Sequence, residues 1–296
     1  MTRSPKLITR ACIAYLVLAS HQVHAVDTDL FVQRVQQSTQ PLSKRLQTHD
    51  QAELIIVLDE VGATAANADA DRDARAIVAL LRAGQTDAVA DHALESLTRL
   101  HSREGRDGLM AFVHQRRPDA RLRAYAGLAK LGEARDVTAI TLGLRDSAPQ
   151  VRSAVAKALA NLPARSAVPD LLSALELGVY DAATAIGKLG DAASLERFSA
   201  QLGKLPLAVL LEGYANYLER QDLPDVLKLR IVATLEDVSG GVVKQFLTAW
   251  LARPDGPGHQ PSPQLRQAVA TAASHVRSLP EQNEQDTTAP AATVKP

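Results

Sequence analysis

Cysteine, tryptophan and methionine are nearly absent from this sequence: its 296 residues include one Cys, one Trp and two Met, and only 3% are aromatic. A disulfide framework or a cysteine-ligated metal needs more cysteines than this, and a nucleic-acid stacking platform needs aromatic side chains. The chain also lacks an excess of either charge, with 33 Lys+Arg against 33 Asp+Glu. We therefore expect no disulfides, no nucleic-acid partner and no cofactor. The 46% of hydrophobic residues indicates a folded protein with a sizeable core.

The N-terminal segment, residues 1–25, has the order of a secretory signal. Residues 1–10 contain Arg3, Lys6 and Arg10 and no acidic residue, residues 11–20 are apolar, and Val23 and Ala25 occupy the −3 and −1 positions of a cleavage site. The apolar run is about half of the ~20 residues that a membrane-spanning helix needs. The pattern predicts a signal peptide over residues 1–25, cleavage after Ala25, and export to the periplasm or the medium without an integral membrane span.

Cys12 raises the alternative of a lipoprotein signal, in which the apolar run ends at a lipidated cysteine. Arg10 lies two residues before Cys12 and the apolar run follows it, which does not suit a lipidation site. Cleavage after Ala25 removes three basic residues and the single cysteine. The exported chain would then have a formal charge of −3 and no thiol to oxidise.

The prediction of the fold is based on an internal repeat. Three apolar columns recur at one constant interval: Leu97, Leu128 and Leu159; Leu100, Leu131 and Leu162; and Ala93, Ala124 and Val155. A shorter copy follows at residues 181–190. Each interval holds two stretches with the apolar spacing of a helix face, such as residues 151–162 and 167–175. A lone helix pair cannot bury its apolar face, so the sequence predicts stacked pairs.

The repeated text resembles the short bacterial form of the HEAT repeat, which is about 30 residues long. The similarity is clear over roughly residues 86–203, and it includes an apolar residue followed by Arg121 or by Arg152 at the start of the first helix. The resemblance implies an all-α fold: a right-handed α-solenoid of stacked antiparallel helix pairs. It also implies that Asp136 and Asp170, early in the second helices, join a ladder of polar contacts between units.

The rest of the chain is also predicted to be helical. We expect a helical region of divergent repeats or a cap over residues 26–85, including a helix at 27–37, and a HEAT-like array over residues 86–252. A proline- and glycine-rich linker and a last helix follow over residues 253–279. The polar residues 280–296 are predicted to form a disordered tail.

No catalytic or metal-binding motif is convincing. Residues 67–73 alternate oxygen-bearing side chains as calcium loops do, but Arg72 stands where glycine is needed and Val78 stands at the twelfth, coordinating position. No two histidines after residue 25 have the spacing that places two ligands on one helical face. There is no Gly-x-Ser-x-Gly elbow. We predict that the protein is not an enzyme. The sequence leaves open a catalytic Ser-His-Asp triad whose members are distant in sequence and meet only in the folded chain.

A group of arginines at the junction of two units is the remaining candidate site. The group comprises Arg103, Arg106, Arg116, Arg117, Arg121 and Arg123. Glu104, Asp107 and Asp119 are interleaved with it, so the charges either pair among themselves or form a patch for an acidic partner. We take Arg106, Arg116 and Arg117 as the candidate partner-binding residues.

These observations predict an exported, non-enzymatic scaffold that binds another protein through the concave surface of a HEAT-type stack. Two alternatives stay open. One alternative is a structural spacer or assembly factor of the cell envelope. The other is an enzyme-assisting factor of the kind found in the bilin-lyase group, which some short HEAT proteins resemble. The motif specifies the fold well and the function poorly.

Overall fold

The computed structural model describes residues 40–61, 69–238, 240–256 and 259–276. Within these ranges the chain forms fifteen α-helices and no β-strand, and one isolated β-bridge joins Gly256 to His259. The all-α prediction is confirmed. The cleavage position Ala25, the predicted helix at 27–37 and the tail at 280–296 lie outside the described residues.

The helices follow one another with short connections. They are α1 Leu42–Arg45, α2 Gln51–Glu60, α3 Ala70–Arg82, α4 Asp87–Leu100, α5 Arg103–Phe112, α6 Pro118–Leu131, α7 Val137–Leu142, α8 Pro149–Leu159, α9 Val168–Glu176, α10 Ala182–Leu189, α11 Ala192–Ser199, α12 Leu207–Glu219, α13 Asp225–Asp237, α14 Gly241–Leu251 and α15 Pro263–His275. Short 3₁₀ turns at Ala134–Asp136 and Gly143–Arg145 flank α7, and another at Arg165–Ala167 precedes α9.

Alternate helices pack against each other along the chain. In what we call the first row, α2 contacts α4, α4 contacts α6, and the same step continues through α8, α10, α12 and α14. In the second row, α1 contacts α3, α3 contacts α5, α9 contacts α11, and α13 contacts α15. Neighbours along the chain, such as α3 with α4 and α9 with α10, pack across the two rows. Most helices therefore bury their apolar faces between a chain neighbour and a helix two positions away, whereas α7 packs mainly on its neighbours α6 and α8 and on the nearby 3₁₀ turns.

The repeat interval of the sequence is visible in the positions of the elements. Helices α6 and α8 begin at Pro118 and Pro149, and α7 and α9 begin at Val137 and Val168, so both pairs are separated by the same number of residues. Both prolines occupy the first turn of their helix, where no backbone hydrogen bond is lost. Successive units thus begin their helices in the same register.

Burial follows the same interval. The columns Leu97, Leu128 and Leu159 and Ala93, Ala124 and Val155 are completely buried in the first row. A third fully buried column, Leu109, Ile140 and Leu171, lies in the second row. Alanine at the first-row positions has little side chain to exclude a neighbour, so adjacent first helices approach closely.

The chain after α9 departs from this pattern. Phe198 of α11 packs edge-to-face on Tyr214 of α12, with ring centroids 5.3 Å apart, and also contacts Tyr217. All three rings are buried. The last helix, α15, packs on α13 and α14 through buried Leu265, Val269, Ala272 and Ala273. No helix among the described residues is long and apolar enough to cross a membrane.

Candidate functional site

The structure places Arg106 in an internal ion pair. Its guanidinium lies in α5 and donates from Nε to both carboxylate oxygens of Asp136, at 2.8 and 2.9 Å, and Nη2 donates to the same group. Asp136 is completely buried. The hydrogen bond to Asp136 raises the pKa of Arg106 above its usual value. A buried carboxylate without a partner is costly, so Arg106 stabilises the fold by pairing with Asp136. The charge of Arg106 is therefore not available to bind another protein.

Arg117 is also paired, whereas Arg116 is not. Arg117 precedes α6 and contacts two acids of α4, Asp87 and Asp91, the latter at 3.1 Å. Arg123 contacts Asp91 as well, at 3.0 Å. Arg116 is exposed, and its side chain has no ion pair with the described residues. Four of the six predicted arginines are therefore paired: Arg117 and Arg123 with acids of α4, Arg106 with Asp136 and Arg121 with Asp146.

Arg121 and Arg152 hold the same position in successive units and make the same backbone contacts. Nη1 of Arg121 donates to the carbonyl oxygens of Gln115 and Arg116, at 2.8 and 2.9 Å. Nη1 of Arg152 donates to the carbonyl oxygens of Asp146 and Ser147, at 2.7 and 3.1 Å. In both units the acceptors lie six and five residues before the arginine. Each arginine therefore fixes the connection that leads into its own helix.

The two arginines differ on the other edge of the guanidinium. Nε and Nη2 of Arg121 donate to the two carboxylate oxygens of Asp146, each at 2.7 Å. These bonds lower the pKa of Asp146 and raise that of Arg121. Nε and Nη2 of Arg152 donate to no acceptor among the described residues, although the charge of Arg152 also helps to lower the pKa of Asp146. Leu177 stands one repeat interval after Asp146, so the acid is not repeated there.

The second predicted ladder residue, Asp170, also contacts the preceding unit. Asp170 lies in the first turn of α9 and accepts a hydrogen bond of 2.8 Å from Arg145, which ends the 3₁₀ turn after α7. This pair is more exposed than Arg106–Asp136, so it contributes less to stability. Both acids link their unit to the one before it.

A polar cluster near the C-terminal end was not predicted from the sequence. His259 is buried in the segment expected to be a linker, and its Nδ1 lies 3.0 Å from both carboxylate oxygens of Glu219. Arg253 contacts the same carboxylate at 2.7 Å, and the His259 ring packs edge-on against Trp250. Burial lowers the pKa of nearby Lys228, which interacts electrostatically with Glu219. The contacts of His259 and Arg253 with Glu219 hold this segment against α12. No sequence motif identifies the cluster.

The acids of the calcium-like segment lie at the start of α3. Asp71 and Asp73 are in its first turn, where a negative charge stabilises the helix dipole, and Asp69 pairs with Arg72 at 2.9 Å. Asn67 lies outside the described residues. Among the described residues, no three His, Cys, Asp or Glu side chains are grouped so as to hold a metal ion.

Comparison with known proteins adds little. No protein-family model and no curated protein matches the sequence. One solved structure, the crystal structure of an engineered protein from the Northeast Structural Genomics Consortium, is 18% identical and covers 81% of this chain and 97% of its own, with a TM-score of 0.30. A superposition that weak carries no argument about the fold or the function.

Apart from Arg116 and Lys228, the charged groups described above form hydrogen bonds or ion pairs within and between units. The features available to a partner are the exposed surface of the helices and the side chains, such as Arg116, that form no ion pair with the described residues.

Proposed function

We propose that this protein is an exported, non-enzymatic scaffold: a right-handed HEAT-type solenoid that binds another protein along its second row of helices. Support comes from the packing of alternate helices, including α3 on α5 and α9 on α11 in the second row, because stacked helix pairs produce this pattern.

One observation favours the second row over the first. The exposed positions Ala111, Leu142 and Ser173 recur at the repeat interval on α5, α7 and α9. The equivalent exposed column of the first row is Glu95, Ala126 and Lys157. Because the second-row column has no charge, a partner that covers it does not have to desolvate one.

Site-specific photo-crosslinking tests this proposal. A photoreactive amino acid is placed at Ala111, Leu142 or Ser173, and at Glu95, Ala126 or Lys157 as matched positions on the other row. Irradiation of cells should give one adduct of constant mass from the second-row positions and none from the first row. Equal adducts from both rows, or none from either, would reject binding along the second row.

Arg116, which is exposed in the connection between α5 and α6, provides a charge test. Arg116→Glu should weaken adduct formation without changing helical content, because its side chain pairs with no described residue. Arg117→Glu is a poor substitute, since it would place a carboxylate against Asp87 and Asp91. An unchanged adduct yield in Arg116→Glu would remove this residue from the binding surface.

A further inference from the structure

The last three helices pack mainly on one another. Helix α15 lies against both α13 and α14. Each of the three contributes completely buried apolar side chains, among them Leu235 of α13, Leu247 of α14 and Val269 of α15. We call these three helices and their connections the C-terminal bundle, and the helices from α1 to α12 the main stack.

The packing is thinnest where the C-terminal bundle meets the main stack. In the first row, the contact of α12 with α14 is smaller than the contact of any earlier pair, including α10 with α12. In the second row, α9 packs on α11 and α13 packs on α15, but α11 and α13 do not form a comparable pair. Both rows are therefore weakest at the same place, and a movement there breaks few contacts.

The connection into the bundle is fixed to the main stack as far as Asp222. Arg220, which follows α12, donates to the carbonyl oxygen of Gly190 and to both carboxylate oxygens of Asp222, the latter at 2.9 and 2.8 Å. Arg165, in the turn before α9, donates to Asp222 at 2.6 Å, and these arginines lower the pKa of Asp222 below its usual value. Helix α13 starts directly after Pro224. A hinge between the two bodies therefore lies between Asp222 and α13.

One carboxylate of α12 holds the bundle against the main stack. Glu219 accepts a hydrogen bond of 2.7 Å from Arg253, and both of its carboxylate oxygens lie 3.0 Å from Nδ1 of His259. Lys228 of α13 interacts electrostatically with the same group. Three basic side chains of the bundle therefore depend on a single acid of the main stack.

The same contact buries polar atoms that have no partner. Nε2 of His259 and Nε1 of Trp250 are buried and make no hydrogen bond with the described residues. Lys228 is also buried, and its ammonium group has no hydrogen-bond acceptor in the described part of the chain. Such groups raise the free energy of the closed arrangement, because water would satisfy them if the bundle moved away.

We propose that the C-terminal bundle is a hinged end of the protein, which opens and closes as a rigid body about the connection after Asp222. The contacts of Glu219 hold it closed. Opening separates Arg253, His259 and Lys228 from Glu219 and admits water to the buried nitrogens, while the helices of each body stay intact. This inference rests on the packing of the chain and is independent of the proposed function.

Distance measurements between pairs of spin labels test the inference in the full-length chain. Cys12 is replaced by serine, so that labels attach only to introduced cysteines. One pair spans the two bodies, with labels at Ser173 of α9 and Ser274 of α15. Two control pairs lie within single bodies: Glu95 with Ser173 in the main stack, and Ala233 with Ser274 in the bundle. All of these positions are exposed.

Glu219→Gln should release the bundle. We expect the ratio of open to closed molecules, measured with the spanning pair, to rise by about tenfold or more, because hydrogen bonds to a charged group are weakened. Both control pairs should keep their distances. Glu212→Gln is the matched variant, since it makes the same change at an exposed position of α12 and should leave all three distances unaltered.

The other outcomes would overturn the inference. Unchanged distances for the spanning pair in Glu219→Gln would show that no hinge is held by this acid. An equal change in Glu212→Gln would assign the effect to the charge of α12 in general. A change in either control pair would show loss of structure within a body and not a rigid-body movement.

Discussion

The units from α4 to α9 and the helices from α10 to α12 fill the space between packed helices with different kinds of side chain. In the first region, columns of leucine, valine and alanine recur at a constant interval and stay buried from unit to unit. In the second region the interval shortens, because Ile186 follows Leu159 sooner than Leu159 follows Leu128, and the space is filled by Phe198, Tyr214 and Tyr217.

Glycine makes the second arrangement possible. A side chain at Gly213 would overlap the Phe198 ring, and one at Gly187 would overlap the carbonyl oxygen of Gly213. The aromatic region therefore combines large rings with backbone contacts that only glycine permits.

Closely packed glycines also occur in the regular units, where a side chain at Gly127 would overlap Thr98 and one at Gly143 would overlap Val155. The two regions therefore differ in the repeat interval and in the aromatic rings, and both depend on glycine at close helix contacts.

The largest expected effect is in the aromatic region. Phe198→Ala should lower the free energy of unfolding by about 3–5 kcal/mol, because it removes a fully buried ring and leaves a cavity beside Tyr214 and Tyr217. Urea unfolding followed by circular dichroism measures the change. Phe198→Leu, which keeps most of the volume, should cost clearly less. Equal losses in the two variants would contradict a packing role for the ring.

A substitution at the close contact of α10 and α12 comes next. Gly187→Ala should cost about 1–3 kcal/mol, because the added methyl group meets the backbone of Gly213, which has no flexible side chain to yield. Gly241→Ala is the control: a methyl group there contacts nothing, so better helix propensity should raise stability by up to about 1 kcal/mol. The same unfolding assay compares them, and a neutral Gly187→Ala would show that the helices separate easily.

The ion pair of the regular region should give a pH-dependent effect. Hydrogen bonds from Arg121 hold the pKa of Asp146 below its usual value, so their contribution is complete above the unfolded-state pKa of about 3.9 and disappears as the pH falls through the lower folded-state value. Asp146→Asn should cost about 1.5 kcal/mol at pH 7. Its difference from the wild type should shrink below about pH 4. A difference that stays constant from pH 7 to pH 3 would exclude this linkage.

The smallest effect is expected at the exposed Leu177. Leu177→Asp should change the free energy of unfolding by no more than about 0.5 kcal/mol, because the leucine is 83% exposed and contributes little to the core. Thermal unfolding of this variant alone and combined with Arg152→Gln gives the coupling between the two residues. Absence of coupling would mean that residue 177 does not reach the arginine.

The regular units were the part of the fold that the sequence predicted best. The same spacing of apolar residues and helix-starting prolines recurs in successive units. The helices that begin at Pro118 and Pro149, and the buried Leu128 and Leu159, agree with this repeat. The segment 253–263 was expected to be a linker because proline and glycine dominate it. His259 instead packs against Trp250 of α14 and bonds to Glu219 of α12, a helix that lies much earlier in the chain.

The candidate site was harder to predict. The arginines were identified by charge, but the sequence did not show which of them would be neutralised. Arg106 reaches an acid 30 residues ahead, and Arg117 reaches acids 26 and 30 residues behind. The sequence has Leu177 one repeat interval after Asp146, and the loss of the acid there has meaning only once the Arg121–Asp146 contact is known.

The amino-acid sequence by itself determined the helical class, the interval of the units and the residues of the regular core, because all of these follow from local spacing repeated along the chain. Only the tertiary structure decided which charges are paired, why Gly187 and Gly213 are needed, and where an arginine remains open. Those properties depend on side chains brought together from helices two positions apart, and spacing within one helix carries no record of them.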